Sequence, residues 1–161
     1  NGGSFSITVS KSHDDLTLAP LVKKILDREQ ENGLDTLVPY QKFAERTAKT
    51  KYDLLAFIKT AHAENKTVAA LGASTKGNVL LQYCGVTEKD ISFIGEVNPE
   101  KYDCYTPGTW IPIIPEAKLL SQKPDYLIVL PWHFRKFFQE NDKYRGVNLV
   151  FPLPNIEMVK R

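Results

Sequence analysis

The sequence predicts an α/β fold, in which a mostly parallel β-sheet carries helices on both faces and two extra helices precede it. Three observations lead to this prediction. From residue 67 onward, short apolar runs typical of buried strands alternate with segments of helical periodicity. A glycine-containing turn follows the first of these runs, where α/β folds place ligand-binding loops. The part before residue 67 has mainly helical periodicity. Because alternating strands and helices favour right-handed parallel crossovers, we expect the second half to be Rossmann-like.

The region before residue 67 is predicted to contain one strand and two helices. Residues 4–10 alternate in polarity and include β-branched side chains, which indicates a strand. Apolar residues recur three and four positions apart between residues 18 and 26, which indicates an amphipathic helix. We expect that helix to end near Gly33, acting as a left-handed cap. A second periodic run, from residue 40 to about 65, predicts a long helix.

From residue 67 the chain is predicted to contain four buried strands separated by three helices. Pro152 follows the last strand and ends it. The strands are expected over residues 67–71, 91–97, 126–130 and 147–151. The helices are expected from Val79 to about Gly85, over residues 115–121 starting on a proline, and over residues 134–144.

Composition limits the class of protein. The chain has 161 residues, of which 42% are hydrophobic and 25% charged, proportions typical of a globular protein rather than a disordered one. We expect residues 1–161 to form a single domain. Lysine and arginine number 21 against 19 aspartates and glutamates, a net charge of +2. Both signs are interspersed, so no nucleic-acid partner is expected.

No apolar stretch approaches the ~20 residues of a membrane span, and no signal-like pattern opens the chain. We therefore expect a cytoplasmic protein with no membrane partner. Cys84 and Cys104 are too few for a disulfide framework and no Cys/His cluster accompanies them, so reduced thiols and no metal site are expected. The chain does not begin with methionine, and we expect it to be part of a longer protein.

The glycine-containing loop over residues 72–78 is the strongest candidate for a ligand site. Gly72 permits a tight turn after the strand, and Gly77 permits close approach of helix and strand. Backbone N–H groups at the start of the following helix favour a phosphate. The candidate binding residues of this loop are Gly72, Ala73, Ser74, Thr75, Lys76, Gly77 and Asn78, with hydroxyl donors at two of them and a positive charge on the lysine.

Two known phosphate motifs match this loop only in part. The spacing of the dinucleotide motif G-x-G-x-x-G is kept, but Ser74 replaces the middle glycine. The P-loop pattern fails because Asn78 and Val79 follow Gly77 where lysine and a hydroxyl residue are required. The loop therefore predicts a phosphate or nucleotide site. The alternative is a glycine turn with no ligand and a solvated Lys76.

The segment that follows the second strand is expected at the same edge of the sheet. Glu96 ends the second strand, 24 positions after Gly72, where an acidic residue can bind a ribose; the alternative is a solvated carboxylate. Asn98 could contact a ligand or cap its own turn. Lys101 could contact a phosphate or be solvated.

Aromatic residues and one histidine complete the set of candidates. Tyr105 and Trp110 flank a Pro-Gly turn and could stack on a base or sugar, or pack in the core. Trp132 and His133 follow the third strand and are both candidate ligand contacts. The alternative for His133 is helix initiation or packing. No residue is assigned a catalytic role.

Beyond these residues, the sequence resembles the C-terminal domain of sugar C-methyltransferases. Residues 72–86, GASTKGNVLLQYCGV, are similar to the family segment GA-x-x-KGN-x-LL-x-YCG followed by Ile or Val. Further similarity lies, in order, in GGSF at residues 2–5, NP-x-K at residues 98–101 with YTPGTWIP at residues 105–112, LPW at residues 130–132 and PLP at residues 152–154. The resemblance covers nearly the whole chain.

The resemblance implies a nucleotide-diphosphate sugar as the substrate, such as a dTDP-4-keto-deoxysugar. In that family a base removes the proton beside the ketone and the enolate attacks the methyl group of S-adenosylmethionine. The C-terminal domain helps to hold the nucleotide sugar. S-Adenosylmethionine, zinc and the catalytic residues are expected in upstream domains, so this chain is expected to bind no cofactor itself and to transfer no methyl group alone.

The sequence departs from the family pattern at a few positions. Glu96 stands where aspartate is usual, His133 stands where asparagine is common, and basic residues at 135–136 replace acidic ones. These departures concern sugar specificity rather than fold. Two other classes remain open. One is an NAD(P)-binding oxidoreductase domain, suggested by the glycine spacing and Glu96 but disfavoured by Ser74; the other is a non-catalytic interaction domain.

Overall fold

The structure is a computed structural model that describes residues 5–7, 11 and 20–161. The chain divides into two compact units, residues 1–47 and 48–161. The strand predicted over residues 4–10 falls mostly outside the described residues, and residues 5–7 are not in a strand.

The described part of the first unit contains one helix and the beginning of a second. Helix α1 spans Pro20–Glu31, and helix α2, Val38–Ala63, begins in this unit. Gly33 has a φ of 66°. Its N–H donates to the Gln30 carbonyl at 2.8 Å and that of Leu34 donates to the Glu29 carbonyl at 3.0 Å. This is the Schellman arrangement, which confirms the predicted glycine cap.

The second unit contains a six-stranded sheet in the order β3-β2-β1-β4-β5-β6. The first five strands are parallel, and β6 runs antiparallel to β5. This topology confirms the mostly parallel, Rossmann-like prediction. The strands are β1 Val68–Leu71, β2 Ile94–Glu96, β3 Ile113–Pro115, β4 Tyr126–Val129, β5 Asn148–Phe151 and β6 Glu157–Lys160.

Helices cover both faces of the sheet. Helix α3 spans Thr75–Cys84, α4 spans Glu116–Ser121 and α5 spans Arg135–Glu140. Ile58 of α2 and Leu81 of α3 pack in one core cluster, which includes Ala70 and Ile128 of the sheet. Leu119 of α4 and Phe138 of α5 belong to a second cluster with alternate sheet residues such as Leu71 and Leu127. The central strands are thus buried on both sides, as their unbroken apolar runs predicted.

Two strands were not predicted, β3 and β6. β3 has three residues, ends on Pro115 and pairs only with β2. β6 is an edge strand whose side chains are mostly exposed and include Glu157 and Lys160. Ile113 and Ile114 of β3 are buried, one in each core cluster, but a proline precedes them and another follows them, and prolines argue against a strand. β6 lacks an apolar run, because it is stabilised mainly by its pairing with β5.

Some predicted boundaries were wrong. Helix α3 begins at Thr75 rather than Val79, because Ser74 caps it and Gly77 lies inside its first turn. β2 begins at Ile94 rather than at residue 91. The helix predicted over residues 134–144 is broken into a 3-10 turn at Trp132–Phe134, then α5, then a second 3-10 turn at Asp142–Tyr144.

Candidate functional site

A cavity of about 300 Å³ lies at the carboxyl edge of the sheet, bordered by the segments that follow β1, β2, β3 and β4. The sheet order reverses between β1 and β4, which is where open α/β sheets bind ligands. The cavity is lined by Gly72, Ser74, Glu96, Val97, Lys101, Glu116, Pro131, Phe134, Phe137, Phe138, Asn141, Lys143 and Tyr144.

The turn at Gly72 depends on the absence of a side chain. Gly72 has a φ of 78°, and its N–H donates to the Gly95 carbonyl at 2.8 Å. A Cβ at this position would lie 2.8 Å from Cδ of Pro131, a rigid ring carbon. Glycine therefore allows the loop after β1 to turn and to pass close to the segment after β4.

Ser74 sets the start of α3. It is the N-cap, with extended backbone dihedrals, and its Oγ accepts a hydrogen bond from the Gly77 N–H at 3.1 Å. A hydroxyl that accepts this bond still carries its own O–H donor. The first N–H groups of a helix point out of its N-terminal end, and the first two residues of α3, Thr75 and Lys76, are exposed. This end of α3 can therefore attract an anion.

Gly77 brings α3 against the end of the sheet. A Cβ at residue 77 would lie 2.7 Å from Cβ of Leu130, which is fully buried just after β4. This contact confirms that Gly77 permits close approach of the helix and the sheet.

Hydrogen bonds to Glu96 connect the loops that follow β1 and β2. Its Oε2 accepts the Ala73 N–H at 2.8 Å, and its Oε1 accepts the N–H groups of Val97 at 2.7 Å and Asn98 at 3.0 Å. Lys101 Nζ lies 3.6 Å from Oε2 and donates to the Ala73 carbonyl at 3.0 Å. Glu96 is only 7% exposed, so the alternative of a solvated carboxylate was wrong. The ribose contact stays a prediction.

The surroundings of Glu96 keep its carboxyl ionised. Burial alone raises the pKa of such a group, but the N–H groups of Asn98 and Val97, the Lys101 ammonium and the Ala73 N–H together hold it below its ordinary value. The negative charge of Glu96 at the cavity wall is therefore balanced by the nearby N–H donors and the Lys101 ammonium.

Asn98 caps its own turn, the second of its two predicted roles. Its Oδ1 accepts the Glu100 N–H at 3.1 Å, and it is the N-cap of the 3-10 turn Pro99–Lys101. That turn carries Lys101 back toward Glu96.

The far wall of the cavity was not identified from the sequence. Phe134 and Phe137 are each 56% exposed, whereas Phe138 is buried in the core. The sequence predicted only a helix over residues 134–144 and gave these phenylalanines no role in a site. A phenylalanine pair just after a central parallel strand was the signal that could have found this wall.

A buried cluster lies beside the phenylalanines. The Tyr144 hydroxyl donates to Glu116 Oε1 at 3.1 Å, and Lys143 Nζ forms an ion pair with the same oxygen. Tyr144 and Glu116 are 2% and 5% exposed. Burial, then the Glu116 charge and hydrogen bond, raise the pKa of Tyr144 far above its ordinary value, so the phenol stays a neutral donor.

Of the predicted residues, Gly72, Ser74, Glu96 and Lys101 line the cavity. Lys76, at the start of α3, lies near His133, in the segment after β4. The pKa of His133 is lowered first by burial and then by the positive charge of Lys76. The predicted residues that do not line the cavity are Ala73, Thr75, Lys76, Gly77, Asn78, Asn98, Tyr105, Trp132 and His133.

Asn78 and Trp132 differ in their surroundings. Asn78 is partly buried, and its Oδ1 is enclosed without a hydrogen-bond partner in the described part of the chain. Trp132 is partly buried and packs against both core clusters. Its ligand contact stays a prediction.

Tyr105 lies away from the cavity. Its ring centroid is 6.4 Å from that of Trp110, and the two residues are 58% and 67% exposed, so core packing was wrong for both. The loop between them is held by Gln82, whose Nε2 donates to the Pro107 carbonyl at 2.7 Å. Since α3 begins at Thr75, Gln82 lies about 10 Å along the helix axis from its first turn.

Within residues 5–7, 11 and 20–161, no group of three or more potential metal ligands occurs. In the same residues, no helix has the length and apolar character that crossing a membrane requires. Cys84 is buried, Cys104 is exposed, and both are free thiols.

Comparison with known proteins places these observations in a family. A family model described as the C-methyltransferase C-terminal domain matches residues 1–154. The C-methyltransferase NovU of Streptomyces niveus is 28% identical over 162 aligned positions, which include 99% of this chain. The match covers 39% of NovU, so the chain spans well under half the length of this curated relative.

Proposed function

The chain belongs to the family of C-methyltransferase C-terminal domains, and we propose that it binds the diphosphate of a nucleotide-linked keto-deoxysugar during methyl transfer from S-adenosylmethionine. One observation carries the proposal. The Gly72 turn and the Ser74 cap place the N-terminus of α3 beside a cavity at the carboxyl edge of the sheet.

Ser74, Thr75 and Lys76 are proposed to hold the diphosphate. An anion at a helix N-terminus gains about 0.3–1 kcal/mol at an exposed site, which is too little for a firm complex. Hydrogen bonds to a charged group contribute about 1.5–3 kcal/mol each, so the hydroxyls and the lysine ammonium supply the larger share. The N–H groups of Gly77 and Asn78, also expected to help, already donate to the Ser74 Oγ at 3.1 Å and to the Ser74 carbonyl at 2.9 Å, so they are not part of the proposed diphosphate contact.

The methyl donor and the base that removes the sugar proton are proposed to lie in other parts of a longer, cytoplasmic enzyme. NovU extends well beyond the region that matches this chain, which is consistent with such a division. The described residues do not fit a zinc site, because no cluster of metal ligands occurs among them. No residue of this chain is assigned to S-adenosylmethionine or to zinc, and the role proposed here is to bind and orient the nucleotide sugar.

Titration calorimetry of the 161-residue chain tests the proposal. We expect thymidine diphosphate (dTDP) or uridine diphosphate to bind more tightly than NADH. Lys76→Ala should weaken the binding about tenfold, the effect of losing ~1.4 kcal/mol. Lys118→Ala, which removes an exposed lysine of α4 outside the cavity lining, is the matched control and should bind as the wild type does.

Two results would contradict this function. Binding of NADH alone would favour an oxidoreductase domain, and failure of every nucleotide to bind at millimolar concentration would favour an interaction domain. Methyl transfer by the isolated chain, given only S-adenosylmethionine and a nucleotide keto-sugar, would contradict the proposed division between domains.

A further inference from the structure

We propose that the cavity next to the glycine loop takes the nucleoside half of the nucleotide, with Phe134 and Phe137 as the wall on which the base stacks. This inference rests on the proposed function, which places the diphosphate at the start of α3. Gly72 and Ser74 line both the loop and the cavity. A nucleotide with its phosphates at Ser74 therefore has the cavity as its immediate neighbour.

The size of the cavity favours this part of the ligand. Its volume of about 300 Å³ is at the lower end of the ~300–1,000 Å³ range of small-molecule sites. A base with its ribose suits such a volume, whereas a complete nucleotide sugar needs more room. The sugar would thus extend from the diphosphate away from the cavity, where another domain could reach it.

The two phenylalanines offer rings that are exposed and already oriented. Phe134 and Phe137 each have more than half of their surface open to solvent. The Phe134 ring lies 4.3 Å from His133, centroid to centroid, and the Phe137 ring makes an edge contact with buried Phe138 at 5.3 Å. Rings held in place in this way lose little freedom when a planar base stacks on them.

The charges around the cavity tolerate an anionic ligand. Two buried carboxylates, Glu96 and Glu116, belong to its lining and would repel phosphate if left alone. Each is paired with a lysine that also lines the cavity, Glu96 with Lys101 and Glu116 with Lys143. The wall therefore presents compensated pairs beside an apolar surface, which suits a nucleoside attached to a diphosphate.

Calorimetric titration of two probes separates the nucleoside from the diphosphate. We expect the wild type to bind dTDP about tenfold or more tightly than inorganic pyrophosphate, since base–aromatic stacking adds an increment of that order. Phe137→Ala and Phe134→Ala should lose most of this difference and leave pyrophosphate binding unchanged. Tyr52→Ala, a change at an exposed ring of α2 outside the cavity lining, is the control and should leave both affinities unchanged.

The outcomes distinguish this inference from the function on which it rests. If the wild type binds neither probe, both are overturned. If it binds dTDP and pyrophosphate equally, or if the phenylalanine variants keep the full preference for dTDP, the nucleoside assignment is wrong while the diphosphate site stands. A parallel loss of both probes would also overturn the assignment, because it would indicate a general effect on the fold; thermal unfolding of each variant checks this.

Discussion

Replacing Gly77 with alanine perturbs the contact between α3 and the end of the sheet. The added Cβ would lie 2.7 Å from Leu130 Cβ and 3.1 Å from both Leu130 Cδ1 and Ser74 Oγ. Carbon atoms in contact prefer about 3.5–4.0 Å, so the first turn of α3 must move outward by about 1 Å. Leu130 is fully buried and Ser74 caps the helix, so the movement disturbs both the core and the cap.

The net cost follows from three effects. Overpacking a close contact costs about 1–3 kcal/mol. A weakened N-cap costs about 1 kcal/mol. Alanine recovers about 1 kcal/mol because it favours the helix more than glycine does. We therefore expect Gly77→Ala to lower the free energy of unfolding by about 1–3 kcal/mol and to displace the proposed phosphate site.

Gly85→Ala, at the other end of α3, is the matched control. Gly85 has a φ of 74° and open space around the position of a Cβ, so this variant suffers only backbone strain of about 1–2 kcal/mol. Urea unfolding followed by circular dichroism should show both variants destabilised. Calorimetry with dTDP should show a loss of affinity for Gly77→Ala alone. If Gly77→Ala unfolds within about 0.5 kcal/mol of the wild type, or if both variants bind dTDP equally well, then the contact between residue 77 and Leu130 does not position the phosphate site.

Three more predictions concern single side chains. Glu96→Gln should weaken dTDP binding several-fold in calorimetry, because the amide replaces a carboxylate oxygen that accepts backbone N–H groups around the loop. The N–H of Thr67 is the main cause that lowers the pKa of Asp125 to about 2. The stability that the Asp125 carboxylate contributes is complete above its ordinary pKa of 3.8 and is lost as the pH falls toward 2. The urea midpoint of Asp125→Asn should therefore lack this decline at acid pH. In thiol labelling, Cys104 should react in the native protein and Cys84, whose pKa burial raises, only after unfolding.

Each of these has a result that contradicts it. Unchanged dTDP affinity in Glu96→Gln would show that the hydrogen bonds to Glu96 do not position the glycine loop. Parallel pH profiles for the wild type and Asp125→Asn would remove the role of that carboxylate. Rapid labelling of two thiols per native chain would contradict the burial of Cys84.

The sequence predicts those features that depend on neighbours along the chain. The unbroken apolar run of β1 and the glycines at 72 and 77 belong to one short segment, so the buried strand, the turn and the close approach of α3 could all be predicted. The Gly33 cap is likewise local. By contrast, β3 was missed because prolines flank its two isoleucines, and β6 was missed because it is stabilised by pairing with β5 rather than by its own apolar pattern.

The candidate site depends on the tertiary fold and could be predicted only in part. Its loop residues follow from motif spacing, but the bond from the Ala73 N–H to Glu96 joins residues on two different loops. The wall formed by Phe134 and Phe137 faces the glycine loop only because β1 and β4 are adjacent in the sheet. Tyr105 shows the opposite case: its aromatic motif is clear in the sequence, yet the fold places it beside the distal half of α3.

A crystal structure of the chain with dTDP tests the central claim most directly. We expect phosphate oxygens at hydrogen-bond distance, ~3 Å, from the N–H groups of Thr75 and Lys76, with the thymine ring against Phe137. A diphosphate bound elsewhere, with the first turn of α3 facing only solvent, would contradict it.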